Sequence, residues 1–200
     1  MSQPKGIRVI VGVLALALAG AGACGAEPPI APEHMVIALT PADKQAALDF
    51  EARLKDYLAL HRKLEATLPN LPKDATPEQL DKNQRQLGKL IQAERAGSKR
   101  GEFFTPGMQS LVRRTLNAVL AGPDGKTIKA SIMDENPGVP NLSVNDRYPD
   151  SIPLSTMPPQ VLEPLPKLEE DIEYRFIGKR LALVDAHAHI IVDFTEDVLR

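Results

Sequence analysis

The chain has 200 residues and a formal charge of −2, with an ordinary apolar fraction of 43%, which suits one compact domain carrying a helical appendage. Tryptophan is absent and aromatic residues make up only 4%, so the core must rest on Leu, Ile, Val and Ala. No face is obviously basic, which argues against nucleic acid as a partner, and eighteen prolines argue for short elements divided by rigid turns.

Lys5 and Arg8 precede an unbroken apolar run from Val9 to Ala19 (VIVGVLALALA), and small residues follow it. That order is the one found in a secretory signal, here residues 1–23. An uncleaved anchor is the other reading, but a membrane span needs roughly 17 to 25 apolar residues. Only the weakly hydrophobic GAGACGA would stretch the run that far. Cys24, the single cysteine, stands where such a leader is cut. Ala21-Gly22-Ala23-Cys24 resembles a bacterial lipobox, whose thiol is lipidated and becomes the mature N-terminus. The sequence departs from that pattern at Ala21, where the lipobox usually has Leu. A plain signal-peptidase site is present as well, since Ala21 and Ala23 satisfy the small-x-small rule. One cysteine excludes an internal disulfide. The expectation is an exported protein, with Cys24 as its lipidation site and its point of contact with the membrane. Loss of Lys5 and Arg8 would take the mature charge to about −4.

Residues 24–39 read as a Pro-rich tether, stiff and extended, in which His34 is exposed and inert. Thr40-Pro41 supplies an N-cap and a first-turn proline. From there Ala47, Phe50, Leu54, Tyr57, His61, Leu64 and Leu68 recur at steps of three and four until Pro69 and Pro72 end the helix. Thr76-Pro77-Glu78-Gln79 opens a second helix with a capping box. Its stripe through Leu80, Leu87 and Leu90 or Ile91 is thinner, and Gly88 weakens it. Residues 40–100 thus read as an antiparallel helical hairpin. No other ligand-type residue is spaced to meet His61, which reads as a polar edge of the core.

Residues 101–200 read as a small α+β domain. A third helix starts at Thr105-Pro106 and runs to about Leu120, burying Leu111, Val112, Leu116 and Val119 on a sheet, and Gly122-Pro123 stops it. Arg113 and Arg114 read as a solvated face. Lys126 to Met133 (KTIKASIM) and Leu142 to Tyr148 (LSVNDRY) read as strands parted by the turn DENPGVP. Thr156 starts a short helical piece through Leu162. Glu173 to Ile177, Leu181 to Asp185 and Ile190 to Phe194 then form a three-stranded antiparallel meander, with Gly178-Lys179 as its first turn. Glu169, Glu170 and Asp171 read as an acidic, solvated loop, and Arg175 and Asp193 as a salt-bridged pair across the meander.

Three stretches, "RAGSKRGEFFTP", "YPDSIPLSTMPPQVLEPLP" and "IEYRFIGKRLALVDAHAHIIVDF", resemble an uncharacterised family of bacterial exported proteins, over about residues 90–194. The resemblance implies a secreted, signal-bearing protein and brings no assigned activity or catalytic residue with it.

Asp185-Ala186-His187-Ala188-His189 also resembles the first-strand metal motif of the amidohydrolase superfamily. There the motif opens a barrel of about 250 residues, roughly 200 at minimum, and later strands supply the remaining ligands. Only eleven residues follow His189, and none is His or Lys. The sequence is therefore read as lying outside that superfamily. In an extended strand Asp185, His187 and His189 would share one face and suit a catalytic zinc with water as fourth ligand. As a hairpin turn, the segment lets the apolar runs on either side pair, with Asp starting the turn and His tolerating a positive φ. The turn is the expectation: Asp185 accepting a backbone N–H within it, both imidazoles largely in solvent, and no metal bound.

No phosphate loop, HExxH, G-x-S-x-G or S-x-x-K pattern is present, and no cofactor is implied. The expectation is a non-enzymatic binding or structural protein of the bacterial envelope with an envelope protein as partner. Two alternatives stand beside it. One is a metal-dependent hydrolase using Asp185, His187 and His189; the other is a periplasmic chaperone-like assembly helper that presents the helical hairpin.

Overall fold

The computed structural model describes residues 38–134, 141–150, 157–169 and 171–199. The leader, Cys24, His34, the turn residues 135–140, Thr156 and Glu170 lie outside them. The described residues fall within one unit, Met35–Arg200, and form an α+β fold of five helices followed by a three-stranded antiparallel sheet.

Three of the helices begin with the same device. Thr40 caps α1 (Pro41–Glu65), Thr76 caps α2 (Pro77–Glu94) and Thr105 caps α3 (Pro106–Ala121), each accepting from the backbone three residues on and each followed by proline. In α1 and α2 the box is closed by Asp43 and Gln79 reaching back to the cap. Threonine satisfies a free N–H and proline needs none, so both residues favour the same start. Among the described residues no helix is long and apolar enough to cross a membrane.

The stretch KTIKASIM forms a helix, α4 (Gly125–Asp134), where the sequence suggested a strand. Ile128 and Ile132 stand four apart as well as on alternate positions, so eight residues satisfy both periods. In the structure Ile132 is buried and Ile128 packs against the same core. Residues 142–148 correct the second expected strand. They make a single bridge, Arg147 to Ile190, and otherwise run irregularly along the sheet edge. A short helix, α5 (Pro159–Leu162), precedes the sheet.

The meander has the expected order: β1 (Ile172–Ile177), β2 (Arg180–Asp185) and β3 (Ile190–Thr195). Gly178, at φ 59°, makes the first turn in the left-handed region that glycine enters without strain. Between β2 and β3 the pairing steps from Val184–Ile191 to Leu183–Asp193, so Val192 has no opposite number.

The sheet buries both faces. One face (Ile172, Tyr174, Phe176, Leu181, Leu183, Ile190 and Val192) joins the main core with Phe50, Leu54, Leu58, Leu87, Ile91, Leu111 and Leu116 of the helices. Fully burying such a side chain contributes roughly 1.5 to 3 kcal/mol. The other face (Ile177, Ala182, Val184, Ile191 and Phe194) is covered by Tyr148, Leu142 and Val144. The stretch read as a hairpin and the stretch read as a separate α+β domain therefore share one core. The pair α1 and α3 is tied at its end by an ion pair between Arg114 and Asp43, so Arg114 is not simply solvated.

Candidate functional site

The site forms where the last turns of α1 meet the end of β2. Tyr57, His61 and Glu65 stand four apart on α1 and so lie one above another on a single helix face. On β2, alternation puts Asp185 on the same face as Leu181 and Leu183, towards the helices. The two meet in the core, where Asp185 and His61 are both completely buried.

The Asp185 carboxylate is held from three directions. Tyr57 donates its hydroxyl to Oδ2 at 2.7 Å, His61 Nδ1 lies 2.6 Å from the same oxygen, and the Ala188 N–H donates to Oδ1 at 2.6 Å. The last bond is the one expected of Asp185 in a turn. A carboxylate offers only acceptors, so Nδ1 is the nitrogen of His61 that carries a proton. That assignment leaves Nε2 on the far side of the ring. It is buried, has no hydrogen-bond partner, and lies 3.8 Å from Glu65 Oε2.

The turn 186–189 brings the second histidine to this point. His189 takes a φ of 58°, which closes the turn between β2 and β3. His187 packs its ring 5.4 Å from that of His61, and its Nδ1 lies 3.6 Å from Glu65 Oε1. His189 goes elsewhere, with Nδ1 3.3 Å from Gln84 Oε1 and its ring 5.5 Å from Tyr148. The motif is therefore split three ways: Asp185 into the core, His187 to α1, and His189 to α2 and the edge segment. The sequence suggested that both imidazoles lie largely in solvent; both are instead half-buried, because α2 closes over the turn. Gly88 permits that approach. A Cβ there would lie 3.0 Å from the Ala188 carbonyl oxygen and 3.5 Å from Ile190.

The charges follow from this packing. Burial works to lower His61, but the hydrogen bond and the charge of Asp185, with Asp171 and Glu65 adding, hold it above the usual imidazole value. Burial, then the charge of Asp185, pushes Tyr57 well above the phenol range, so it remains a donor. His189 is lowered by burial and by Arg147. Arg95 stacks over Tyr57 at 5.2 Å and over Phe103 at 5.7 Å.

A second buried acid stands on the neighbouring strand. Asp193 was expected to meet Arg175, but β2 lies between β1 and β3 and keeps them apart. Arg175 instead pairs with Glu173. Asp193 accepts four backbone N–H groups: Gly101 at 3.0 Å, Phe103 at 2.8 Å, Phe104 at 2.9 Å and Phe194 at 2.8 Å. It fastens the loop leading into α3 to the sheet. In the acidic run, Glu169 pairs with Arg62.

The arrangement thus gathers His61, Glu65 and His187, whose ligating atoms lie within 4.8 Å of one another. Beside His187 opens a cleft of about 400 Å³ between Leu71, Leu80, Gln84 and the turn. His61 reads from sequence as a polar edge of the core and Glu65 carries no signal of its own, because the residues they meet, Asp185 and His187, lie more than a hundred positions away. The trace they leave is a Tyr-His-Glu ladder at steps of four on an otherwise apolar helix stripe. No family model matches the chain, and no curated protein sequence and no solved structure matches it.

Proposed function

We propose that the protein is exported and held at the bacterial cell envelope, where it acts as a non-enzymatic binding or structural lipoprotein. The observation that carries this reading is the place of Cys24, the chain's only cysteine, at the end of a charged, apolar and small-residue leader. Residues 24–39 would then serve as the spacer between the membrane and the folded body. Sixteen residues reach at most about 55 Å when fully extended. The resemblance of residues 90–194 to exported bacterial proteins points the same way.

Two observations weigh against the alternatives. A helper that captures clients on the hairpin needs an open apolar face, yet α1 buries Phe50, Leu54, Leu58 and Leu64 on its own body. A hydrolase built on Asp185, His187 and His189 needs the three to converge, and their side chains take three directions. Mass spectrometry of the mature chain tests the reading. A diacylglyceryl-modified N-terminus at Cys24, with Cys24→Ser releasing the protein from membranes, is the expected result. An intact Met1 on membrane-bound protein would overturn it.

A further inference from the structure

We propose that His61, Glu65 and His187 form a site for one borderline divalent transition ion of the zinc class, with Asp185 and Tyr57 orienting His61 behind it. This goes beyond the envelope reading and does not depend on export.

The buried imidazole is the strongest ground. His61 Nε2 is enclosed by protein and has no hydrogen-bond partner, although buried polar atoms are almost always paired. Its orientation is fixed from behind, because Nδ1 is committed to Asp185 at 2.6 Å and Asp185 is committed to Tyr57 and the Ala188 N–H. A carboxylate behind an imidazole is the usual support for a metal-bound histidine, since it fixes the tautomer and makes the outward nitrogen a better donor.

The outward nitrogen meets two further donors. Glu65 Oε2 lies 3.8 Å from it, and Glu65 Oε1 lies 3.6 Å from His187 Nδ1. Around a tetrahedral zinc with bonds of about 2.0 to 2.1 Å, neighbouring donors sit about 3.3 Å apart. The side chains of Glu65 and His187 are 44% and 35% exposed, so small rotations at the surface would close the difference. His61 itself need not move. Two imidazoles and one carboxylate favour zinc, cobalt or nickel over magnesium or calcium, which prefer oxygen alone. Three protein ligands leave a fourth position on the solvent side, open to water or to a donor atom from a bound molecule.

The competing account is a plain ion pair, with a protonated His61 held between Asp185 and Glu65 and no metal. Titration of the chelator-treated full chain, purified in detergent without a polyhistidine tag, separates the two. The probes are Zn²⁺ by calorimetry and Co²⁺ by its visible absorption. One ion per chain is expected. His187→Asn and Glu65→Gln should each weaken binding at least tenfold, since loss of even a supporting residue costs roughly 10 to 100-fold. Tyr57→Phe, acting only through Asp185, should weaken it about tenfold, and His189→Asn and His34→Asn should leave it unchanged. His61 is buried, so its replacement would confound binding with folding. His187→Asn sits at a half-exposed turn and carries the test, with thermal melting in chelator showing that the variant is folded. No binding by the wild-type chain would overturn the proposal. So would affinity that survives both His187→Asn and Glu65→Gln, or that falls equally with His189→Asn.

Discussion

Asp185 and Asp193 stand on adjacent strands, both with no exposed surface, and the structure uses them in opposite ways. Asp193 is surrounded by main chain, four N–H groups from the loop before α3 and from its own strand. Such donors keep their protons at any ordinary pH, so the contact is a permanent fastening. Asp185 is met chiefly by side chains, a phenol and an imidazole from a helix more than a hundred residues away. One of those partners changes its own protonation and leads on to Glu65 and His187. Burial of an acid therefore says little about its role until its partners are known: backbone donors mark an anchor, and titratable ones mark a place where chemistry can be altered.

The sharpest way to break the comparison is to remove the anchor. Asp193→Ala leaves four backbone donors without their acceptor, and each unsatisfied buried group costs about 1 to 3 kcal/mol. A loss of about 4 kcal/mol or more is expected in denaturant titration; a loss under about 1 kcal/mol would mean that water or another acceptor replaces the carboxylate. Tyr57→Phe, on the other acid, removes one bond to a charged group and should cost about 1.5 to 3 kcal/mol. If it cost as much as Asp193→Ala, the distinction between anchor and polar cluster would fail. Replacing His187 and His189 together by Asn, measured in chelator, should cost about 1 kcal/mol from the lost ring contacts and no more, because Asn also tolerates the positive φ at residue 189. The same pair compared with and without Zn²⁺ should lose the metal-induced rise in melting temperature shown by the wild type.

Asp43 supplies the smallest effect and a control for both acids. The hydrogen bond to Arg114, then that to Thr40, holds its carboxyl at about 2, below the ordinary 3.8. A lowered value favours the folded state at neutral pH. That contribution is complete above about pH 4 and is lost as the pH falls through about 2. Arg114→Ala should flatten part of this acid slope in a pH series of melts, lowering stability slightly at pH 7 and leaving it unchanged near pH 2. A slope identical to that of the wild type would show that the pair does not set the Asp43 titration.

The local signals were the legible ones. Thr-Pro at 40, 76 and 105 marked three helix starts, and the apolar runs of 173–194 marked the meander with its turn at Gly178. Those features depend on neighbours in sequence. The stretch KTIKASIM was misread because Ile128 and Ile132 fit either period. The site was legible only in part: Asp185 was rightly placed as the acceptor of a turn N–H, but its main partners, Tyr57 and His61, come from another element. Arg175 and Asp193 were paired on sequence proximity to the meander, whereas strand order separates them. Gly88, which reads as a flaw in a helix, is where that helix can touch the turn.

The unpaired Val192 has a consequence for how this strand can vary. Side chains on a strand alternate like odd and even numbers, and one extra residue changes the parity of everything after it. Asp193 therefore comes to lie opposite Leu183, facing the helices, and Phe194 lies opposite Ala182 on the other side. Exchange of Val192 for another apolar residue alters only bulk. Its deletion would place Asp193 directly after Ile191, still opposite Leu183 and facing the helices, so the bulge would be lost while the acid kept its side of the sheet. At this position the strand can lose a residue without turning its later side chains to the other face, so the bulge is a place where its length can vary.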